Sequence, residues 1–410
     1  MGWLKFNFNG LKDKATFVQS FMSYHLKIYT SASGLPKNWD TVIGNHNIML
    51  SAAYFHILGT SKPQNMTCYF LGFFEDGDLV GGALFQYLDF IRHKTFQKNE
   101  VWCSIRNLAA RKFSRDVMIL GNNMLTGQNG FYFDPLKISV ENMILLLEEA
   151  VRKMQKEIRK TSLIIYKDYR SEFLSLFQGR ELHSYFKFSV QPTMTLTIRK
   201  SWKTFEDYLK DFSTKYRTRA KTARKKIAGT DKRELCSEDI VRYRNEINQL
   251  YQHVAENAPF NTFFLEENHF ESMKENLGIN FKVFGYFSGQ QLIGFYTLIL
   301  NNEDIDTYFL GYDKEIQKEK QIYLNMLLDI AGFAIDHQFK RIVFGRTALE
   351  IKSTIGAEPV EIFGLIRHTH TIVNLFMKNI FPSLSPKTEW IRRNPFKMSS
   401  GSQPKEEQLL

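Results

Sequence analysis

The sequence predicts an α/β protein with mixed sheets, built from two related halves. Two aromatic-rich hairpins occur at corresponding places, and each is followed by a further strand, a long amphipathic helix and another strand. A length of 410 residues with 43% hydrophobic and 24% charged residues supplies enough apolar material for two cores. We therefore expect domains at 1–198 and 199–396. The remaining tail, 397–410, is poor in apolar residues and is expected to be disordered.

The first half is predicted to begin with a helix and to continue as a sheet. Residues 43–58 place apolar side chains at helical spacing, and a glycine and a proline follow as stop signals. Residues 68–74 and 79–90 are rich in aromatic and branched side chains and flank a turn of Asp and Gly, which predicts a hairpin. Further strands are predicted at 117–120, 130–133, 162–166, 185–190 and 193–198, with a periodic helix at 138–160.

The second half is predicted to repeat this order. The expected elements are helices at roughly 203–228, 238–256 and 266–276, strands at 281–287, 292–300 and 304–311, a helix at 319–337 and a strand at 341–344. The hairpin residues 78–81 (Asp-Leu-Val-Gly) correspond to 291–294 (Gln-Leu-Ile-Gly), each just after a turn glycine. The repeated order of elements predicts an internal duplication.

Charge and cysteine content limit the classes of partner. The net charge is +11, and residues 200–233 alone hold twelve Lys or Arg against four Asp or Glu. Such a segment favours a polyanionic partner: CoA phosphates, tRNA, a lipid diphosphate or an anionic membrane surface. The three cysteines lie far apart and predict neither a disulfide framework nor a metal site. Without a membrane-length apolar run or a signal-peptide core, we expect a cytoplasmic protein.

Three stretches resemble the GNAT-type domains of the Fem family and the related peptidoglycan-biosynthesis or BioF-like acetyltransferase-domain proteins. Residues 202–226 have the aromatic start and the many Arg and Lys of the opening helix in that family. Residues 289–294 resemble its hairpin. Residues 344–357 resemble its stretch in which a lysine, here Lys352, precedes a glycine, here Gly356, by four positions.

The resemblance implies two tandem GNAT-like domains in a bacterial enzyme that transfers an acyl or aminoacyl group to an amine. We further expect a degenerate first half, no tightly bound cofactor, and acyl-CoA as a possible co-substrate. Ordinary GNAT enzymes hold the CoA pyrophosphate on a glycine-bearing turn at a helix N-terminus. The corresponding residues here, 313–324, contain no glycine. The donor therefore stays open among acyl-CoA, acyl carrier protein and aminoacyl-tRNA.

Four residues are the catalytic candidates of the second half. Aminolysis of a thioester needs a group that takes the proton of the amine and donors for the oxyanion. Lys352, near the tight turn at Gly356, is the candidate for the oxyanion or a substrate anion, and an exposed loop lysine is the alternative. Tyr308 and Tyr312 are candidate general acids, with core packing as the alternative. Asp304 and Asp306 alternate along one predicted strand and either could supply the base; Asp306 is the candidate chosen, and turn chemistry over 301–304 is the alternative.

Binding candidates lie on the basic helix and beyond the last predicted strand. An apolar stripe on the helix is expected to dock it, which leaves its cations to hold phosphates or to be merely solvated. Arg346 follows the carboxyl end of a strand, where α/β sheets place ligands, and capping of the next helix or simple exposure are the alternatives. The predicted donor or substrate contacts are Arg217, Lys221, Arg224, Lys225, Arg346 and Gly356. His368 and His370 have no third ligand nearby, so no metal site is predicted.

Three functions are consistent with these features. The first is an N-acyltransferase that moves an acyl group from acyl-CoA or acyl carrier protein to a small or lipid-linked amine. The second is a Fem-like transferase that uses aminoacyl-tRNA and a peptidoglycan precursor. The third is a non-catalytic module that binds nucleic acid or anionic lipid. A lipid acceptor would add peripheral association with the inner membrane.

Overall fold

The computed structural model describes residues 24–89, 116–175, 182–189, 191–258, 261–384 and 390–397. The chain divides into two compact units, each assembled from separate segments. The first contains 1–190, 258–278 and 361–386, and the second contains 191–257, 279–360 and 387–410. These units therefore differ from the contiguous halves 1–198 and 199–396. The predicted tail lies, after Lys397, outside the described residues.

The strands, in chain order, are β1 (Tyr24–Tyr29), β2 (Met66–Glu75), β3 (Asp78–Asp89), β4 (Asp116–Leu120), β5 (Phe131–Phe133), β6 (Leu163–Tyr169), β7 (Phe186–Phe188), β8 (Thr193–Thr197), β9 (Asp231–Glu234), β10 (Phe281–Ser288), β11 (Gln291–Asn301), β12 (Asp304–Tyr312), β13 (Arg341–Gly345), β14 (Glu358–Val360) and β15 (Phe363–His368).

The helices are α1 (Trp39–Val42), α2 (Ala52–Thr60), α3 (Val140–Lys153), α4 (Ser171–Leu174), α5 (Phe205–Asp211), α6 (Thr214–Lys226), α7 (Ser237–Arg242), α8 (Arg244–Ala255), α9 (His269–Leu277), α10 (Lys314–Lys320), α11 (Ile322–Asp336), α12 (Leu349–Ser353) and α13 (Thr371–Leu384). Among the helices of the described ranges, none is both long and apolar enough to cross a membrane.

The first unit is built on an eight-stranded sheet. Its order is β1-β2-β3-β4-β6-β15-β7, and β5 pairs with β3. The β2–β3 turn uses positive φ angles at Asp76 (48°) and Gly77 (91°), which suits a tight hairpin. Helix α3 starts after Ser139, whose side chain accepts from the backbone N–H of Asn142. It connects β4 to the parallel strand β6 and buries its apolar face in the core of this unit.

The second unit is built on a seven-stranded sheet with the order β14-β8-β13-β12-β11-β10-β9. The meander β10-β11-β12 continues through α10 and α11 to β13, which is parallel to β12. The first unit has the corresponding order β2-β3-β4-α3-β6, with the short strand β5 inserted before α3. Both sheets mix parallel and antiparallel pairs, so the predicted α/β class and the repeated order of elements are confirmed.

Two strands lie in sheets that the sequence did not indicate. The strand predicted at 193–198 was assigned to the first half, but β8 pairs with β13 and β14 in the second unit. Conversely, β15 comes late in the chain and pairs with β6 and β7 in the first unit. Alternation along a strand reports which side chains are buried, whereas the partner strand depends on the packing of the whole chain.

Other differences are local. The predicted helix 43–58 consists of two 3-10 turns, and α2 begins only at Ala52, because the Ser51 hydroxyl accepts from Tyr54 N at 3.1 Å. The predicted helix 203–228 is divided into α5 and α6 by extended backbone at Phe212. The predicted helix 319–337 is broken at Gln321, which has a φ of 49°. Strand β9 was not predicted because all four of its residues are charged and exposed.

Candidate active site

The parallel pairing of β12 with β13 ends partway along β12. The last registered pair is Asp306 with Val343. Strand β12 nevertheless continues to Tyr312, which still pairs with Gly294 of β11. In the first unit, the corresponding pairing of β4 with β6 runs to Leu120, the last residue of β4. An opening between parallel strands, of the kind where α/β sheets place ligands, is therefore a feature of the second unit.

Asp306 is a buried carboxylic acid in the last registered pair before this opening. It is 7% exposed, and its Oδ2 accepts from Asn301 Nδ2 at 3.2 Å. Burial raises the pKa of Asp306 from 3.8 to about 7, although the Asn301 hydrogen bond opposes this rise. A carboxyl group with this pKa can take up and release a proton near neutral pH. Its neighbour Asp304 instead forms a bidentate pair with Arg341, at 2.9 and 2.6 Å.

Lys352 lies on α12 and is only 3% exposed, so the alternative of an exposed loop lysine is wrong. Its Nζ donates to the carbonyl oxygens of Phe344 at 2.6 Å and Gly345 at 3.5 Å. Pairing of β13 with β8 shifts register between Val343 and Gly345, and the lysine supplies a donor at this irregularity. Burial lowers the pKa of Lys352 from 10.5 to about 7. The side chain thus marks the carboxyl end of β13, where the β12–β13 pairing has just ended.

The two tyrosines of β12 have different surroundings. The Tyr308 ring lies edge-on to the rings of Phe281 and Phe309, with centroid distances of 6.4 and 4.3 Å, as aromatic packing requires. Tyr312 lies 6.1 Å from the ring of Tyr323, and burial raises its pKa above 10.0. Tyr312 therefore keeps its proton at neutral pH, which is the form that a general acid needs.

The basic helix α6 is anchored by an ion-pair cluster around Asp329 of α11. Arg224 Nη1 lies 2.9 Å from Asp329 Oδ1, and the guanidinium stacks 5.1 Å from the ring of Phe205. Lys232 Nζ lies 3.1 Å from the same oxygen, and the Tyr286 hydroxyl donates to Asp329. Arg224, a predicted donor contact, is thus engaged by the fold itself. The sequence did not identify Asp329 as the partner of Arg224. The available signal was that Asp329 is a single acidic residue within the apolar run of α11.

The remaining cations of α6 are placed differently. Ala220 and Ala223 are buried, which confirms that an apolar stripe docks the helix. Arg217 is half-buried, and Lys221 and Lys225 are exposed. Among the ion pairs between described residues, none involves these three side chains. They form a positive surface in the second unit that is available to an anion.

Arg346 and Gly356 flank α12. Arg346 is partly exposed, but its guanidinium is surrounded by protein, and this burial lowers its pKa to about 10. Gly356 has a φ of 90°, and a Cβ there would lie 2.3 Å from the ring of Phe396. Glycine is therefore required at 356 by the backbone and by ring packing, irrespective of any ligand.

The segment 313–324 has no glycine-amide cradle for a pyrophosphate. It forms the short helix α10, and the Asp313 carboxylate accepts from Glu315 N at 2.8 Å at the helix start. A negative side chain already occupies the position where a phosphate would meet helix N–H groups. In the part of the chain that the structure describes, no group of three or more His, Cys, Asp or Glu is placed to hold a metal.

Comparisons with known proteins give structural likenesses only. No protein-family model and no curated protein sequence matches the chain. The structure is similar to that of FemX, with a TM-score of 0.49 and 12% identity over 77% of this chain and 90% of that chain. It is also similar to a tandem GNAT protein from the clavulanic acid biosynthesis pathway, with a TM-score of 0.48 and 11% identity over 84% of this chain and 99% of that chain.

A third similar structure is L-PGS from Bacillus licheniformis, with a TM-score of 0.43 and 10% identity over 80% of this chain and 95% of that chain. The two classes named by the sequence resemblance, Fem-like and tandem GNAT proteins, are thus both represented. At these TM-scores and identities, the likenesses do not assign an activity to this chain.

Proposed function

We propose that this protein is an N-acyltransferase that moves an acyl group from a thioester to an amine at the open end of the β12–β13 pair. One observation carries the proposal. Asp306 belongs to the last registered pair of β12 with β13, Lys352 donates to the carbonyls that follow on β13, and burial brings both pKa values to about 7 from opposite directions. Groups tuned to ionise near neutral pH are typical of proton-transfer sites.

The reaction needs little beyond proton transfer and positioning. The Asp306 carboxylate would accept a proton from the incoming ammonium, and the resulting amine would attack the thioester carbonyl. A C–N bond forms and the C–S bond breaks, and the nitrogen releases its second proton to the leaving thiolate, so that the products are an amide and a free thiol. Tyr312 lies roughly 20 Å farther along β12 than Asp306, at about 3.3 Å per residue, and takes no part in this step. Lys352 would hold the Phe344 and Gly345 carbonyls in place at the end of β13. Its predicted direct contact with the oxyanion stays a prediction.

The donor would be held by charge on α6 and not by a glycine turn. Because Asp313 caps α10, a pyrophosphate at that helix start would meet a carboxylate. Arg217, Lys221 and Lys225 supply the positive surface that the phosphates of acyl-CoA or acyl carrier protein need. The same cations suit aminoacyl-tRNA, which is the second candidate donor and would bind with a steep dependence on salt.

The first test is donor binding by native mass spectrometry. The protein is offered acetyl-CoA, a long-chain acyl-CoA, an acylated carrier protein and a charged tRNA at two salt concentrations. Lys221→Gln/Lys225→Gln should weaken binding of the true donor, whereas the control Lys200→Gln/Lys203→Gln removes the same charge from exposed positions of the same unit and should not. Binding of tRNA alone favours the aminoacyl-tRNA donor, and binding of none contradicts the proposal.

The second test is turnover with an amine panel, read as release of the free thiol. Asp306→Asn should lower the rate about 10²- to 10⁴-fold, the usual contribution of a general base, with donor binding unchanged. Asp336→Asn, at an exposed position of α11, is the matched control. Donor binding without thiol release from any amine, in the wild type as in the variant, would instead favour a non-catalytic binding module.

A further inference from the structure

A strongly basic cleft lies in the first unit, among residues that the acyltransferase proposal does not use. The cleft has a volume of about 600 Å³. It lies between the end of α3, the start of β6, the end of β15 and the first turn of α13. Four cationic side chains line it: Arg152, Lys156, Lys160 and Arg367. A volume of this size suits a small organic ligand.

The positive charge of the cleft is mostly uncompensated. In the described ranges, no carboxylate forms an ion pair with Arg152, Lys156 or Lys160. Arg367 has one acidic partner, Glu148, whose Oε2 lies 4.0 Å from the guanidinium. A cluster of cations without matching acids creates a positive potential that an anion can neutralise.

The Arg367 side chain is fixed by contacts with neighbouring residues of the first unit. Glu148 is 2% exposed, and its Oε1 accepts from the hydroxyls of Tyr166 at 2.6 Å and Tyr185 at 2.7 Å. The Arg367 guanidinium also stacks 4.7 Å from the Tyr185 ring and donates to Ser184 Oγ at 3.4 Å. A guanidinium fixed by a buried acid and an aromatic ring is pre-organised for an anion, so less side-chain entropy is lost on binding.

The loop that follows β15 also lines the cleft and offers neutral donors. The His368 Nδ1 accepts from His370 N at 3.0 Å, which places the proton of the neutral ring on Nε2. Asn374 ties the loop down, since its Oδ1 accepts from His368 N at 2.8 Å and its Nδ2 donates to Ser184 O at 2.9 Å. Thr371 and Asn374 both line the cleft, so the first turn of α13, with its positive dipole end, borders it.

We propose that this cleft is a binding site for a phosphate-bearing ligand. Four cations around one small cavity match the multiple negative oxygens of a phosphate ester or diphosphate better than a single carboxylate. The site does not depend on the proposed activity, because all of its residues belong to the first unit. The phosphate could come from a soluble compound or from a lipid headgroup, and the two sources can be separated by experiment.

The soluble source is tested with pyrophosphate by isothermal titration calorimetry on the full chain. We expect saturable binding that Arg152→Gln/Lys156→Gln weakens by about tenfold or more, the effect of losing charge-assisted hydrogen bonds. Lys37→Gln/Lys137→Gln removes equal charge from exposed sites of the same unit and should change the affinity less than about twofold. The α6 variant Lys221→Gln/Lys225→Gln should leave pyrophosphate binding at the cleft unchanged.

The lipid source is tested by flotation with phosphatidylglycerol vesicles, and phosphatidylcholine vesicles are the control. Ile372, Leu375 and Phe376 are 63%, 70% and 57% exposed on α13 beside the cleft. If a lipid supplies the phosphate, Leu375→Ser/Phe376→Ser should reduce flotation and leave pyrophosphate binding intact. If flotation does not occur while pyrophosphate binds, the ligand is soluble.

Three outcomes overturn the proposal. One is absence of saturable binding to both pyrophosphate and vesicles. Another is binding that Arg152→Gln/Lys156→Gln leaves unchanged. The third is binding only to long polyanions such as tRNA, which would indicate a diffuse charged surface. Both substituted side chains are exposed, so the variant is expected to fold. Should it unfold, Lys160→Gln alone gives the same test with a smaller expected loss.

Discussion

Asp306→Asn is predicted to stabilise the protein in a pH-dependent way. In the folded state the pKa of Asp306 is about 7, whereas an exposed Asp titrates near 3.8. At pH values between these two pKa values, Asp306 is protonated in the folded protein and ionised in the unfolded chain. Stability of the wild type therefore falls as pH rises through this range. Below pH 3.8 both states are protonated, and above about pH 7 the full cost of a buried charge is present.

The magnitude follows from the pKa difference. At about 1.4 kcal/mol for each tenfold change in proton affinity, a rise from 3.8 to about 7 corresponds to about 4 kcal/mol. Structural relaxation around the ionised group lowers this figure, so we expect about 2 to 4 kcal/mol at pH 8.5. The amide side chain introduced by Asp306→Asn keeps an oxygen that can accept from Asn301 Nδ2, so the variant loses the charge and retains this hydrogen bond.

The assay is urea unfolding of wild type and Asp306→Asn at about pH 4, 5.5, 7 and 8.5, so that each region of the titration is sampled. The free energies of unfolding should agree at the lowest pH and diverge with rising pH, with the variant the more stable. Asp336→Asn, at an exposed site, should track the wild type throughout. A difference between Asp306→Asn and wild type that is the same at every pH would refute the reasoning.

Three further predictions concern the architecture around the site. Asp329→Asn should lower the free energy of unfolding by about 1 to 3 kcal/mol, measured in urea at neutral pH, because two cations lose their acidic partner while remaining partly solvated. Gly356→Ala should cost about 2 to 4 kcal/mol from positive φ and ring overlap, whereas Gly229→Ala, with a φ of 83° and open space around it, should cost only about 1 to 2 kcal/mol; equal losses would contradict the packing argument. Lys352→Met should lower the stability by about 1 to 3 kcal/mol near pH 10.5, the ordinary pKa of a lysine, where deprotonating the buried lysine costs little and the Phe344 carbonyl still loses its buried donor; an unchanged urea midpoint would count against that bond.

The local sequence pattern was sufficient to predict many of the helices and strands. The β2–β3 and β10–β11 hairpins follow from alternating apolar residues around turn glycines, and the periodic helices α3 and α11 follow from their apolar stripes. The docking stripe of α6 was predicted for the same reason, because Ala220 and Ala223 recur at helical spacing. These features depend on neighbours close in sequence, so the residues themselves encode them.

The site could be predicted only as a set of residues. Sequence placed Asp306, Tyr312 and Lys352 in one region, but burial of Asp306 and Lys352, which sets their pKa values, depends on neighbours distant in sequence. Arg224 reads as one more cation of a basic helix, and only its approach to Asp329 makes it an anchor. In the first unit, Arg152 and Arg367 are separated by about half of the chain and line one cleft.

The sequence by itself determined the α/β class, the repeated order of elements and the basic character of one helix. The tertiary structure decided which sheet each strand joins, so that β8 lies in the second unit and β15 in the first. It also decided where the parallel pairing of β12 stops and which ionisable groups are buried there. The physical reason is that periodicity reports a local preference for burial, whereas strand partners, desolvation and charge pairing depend on contacts between residues far apart in the chain.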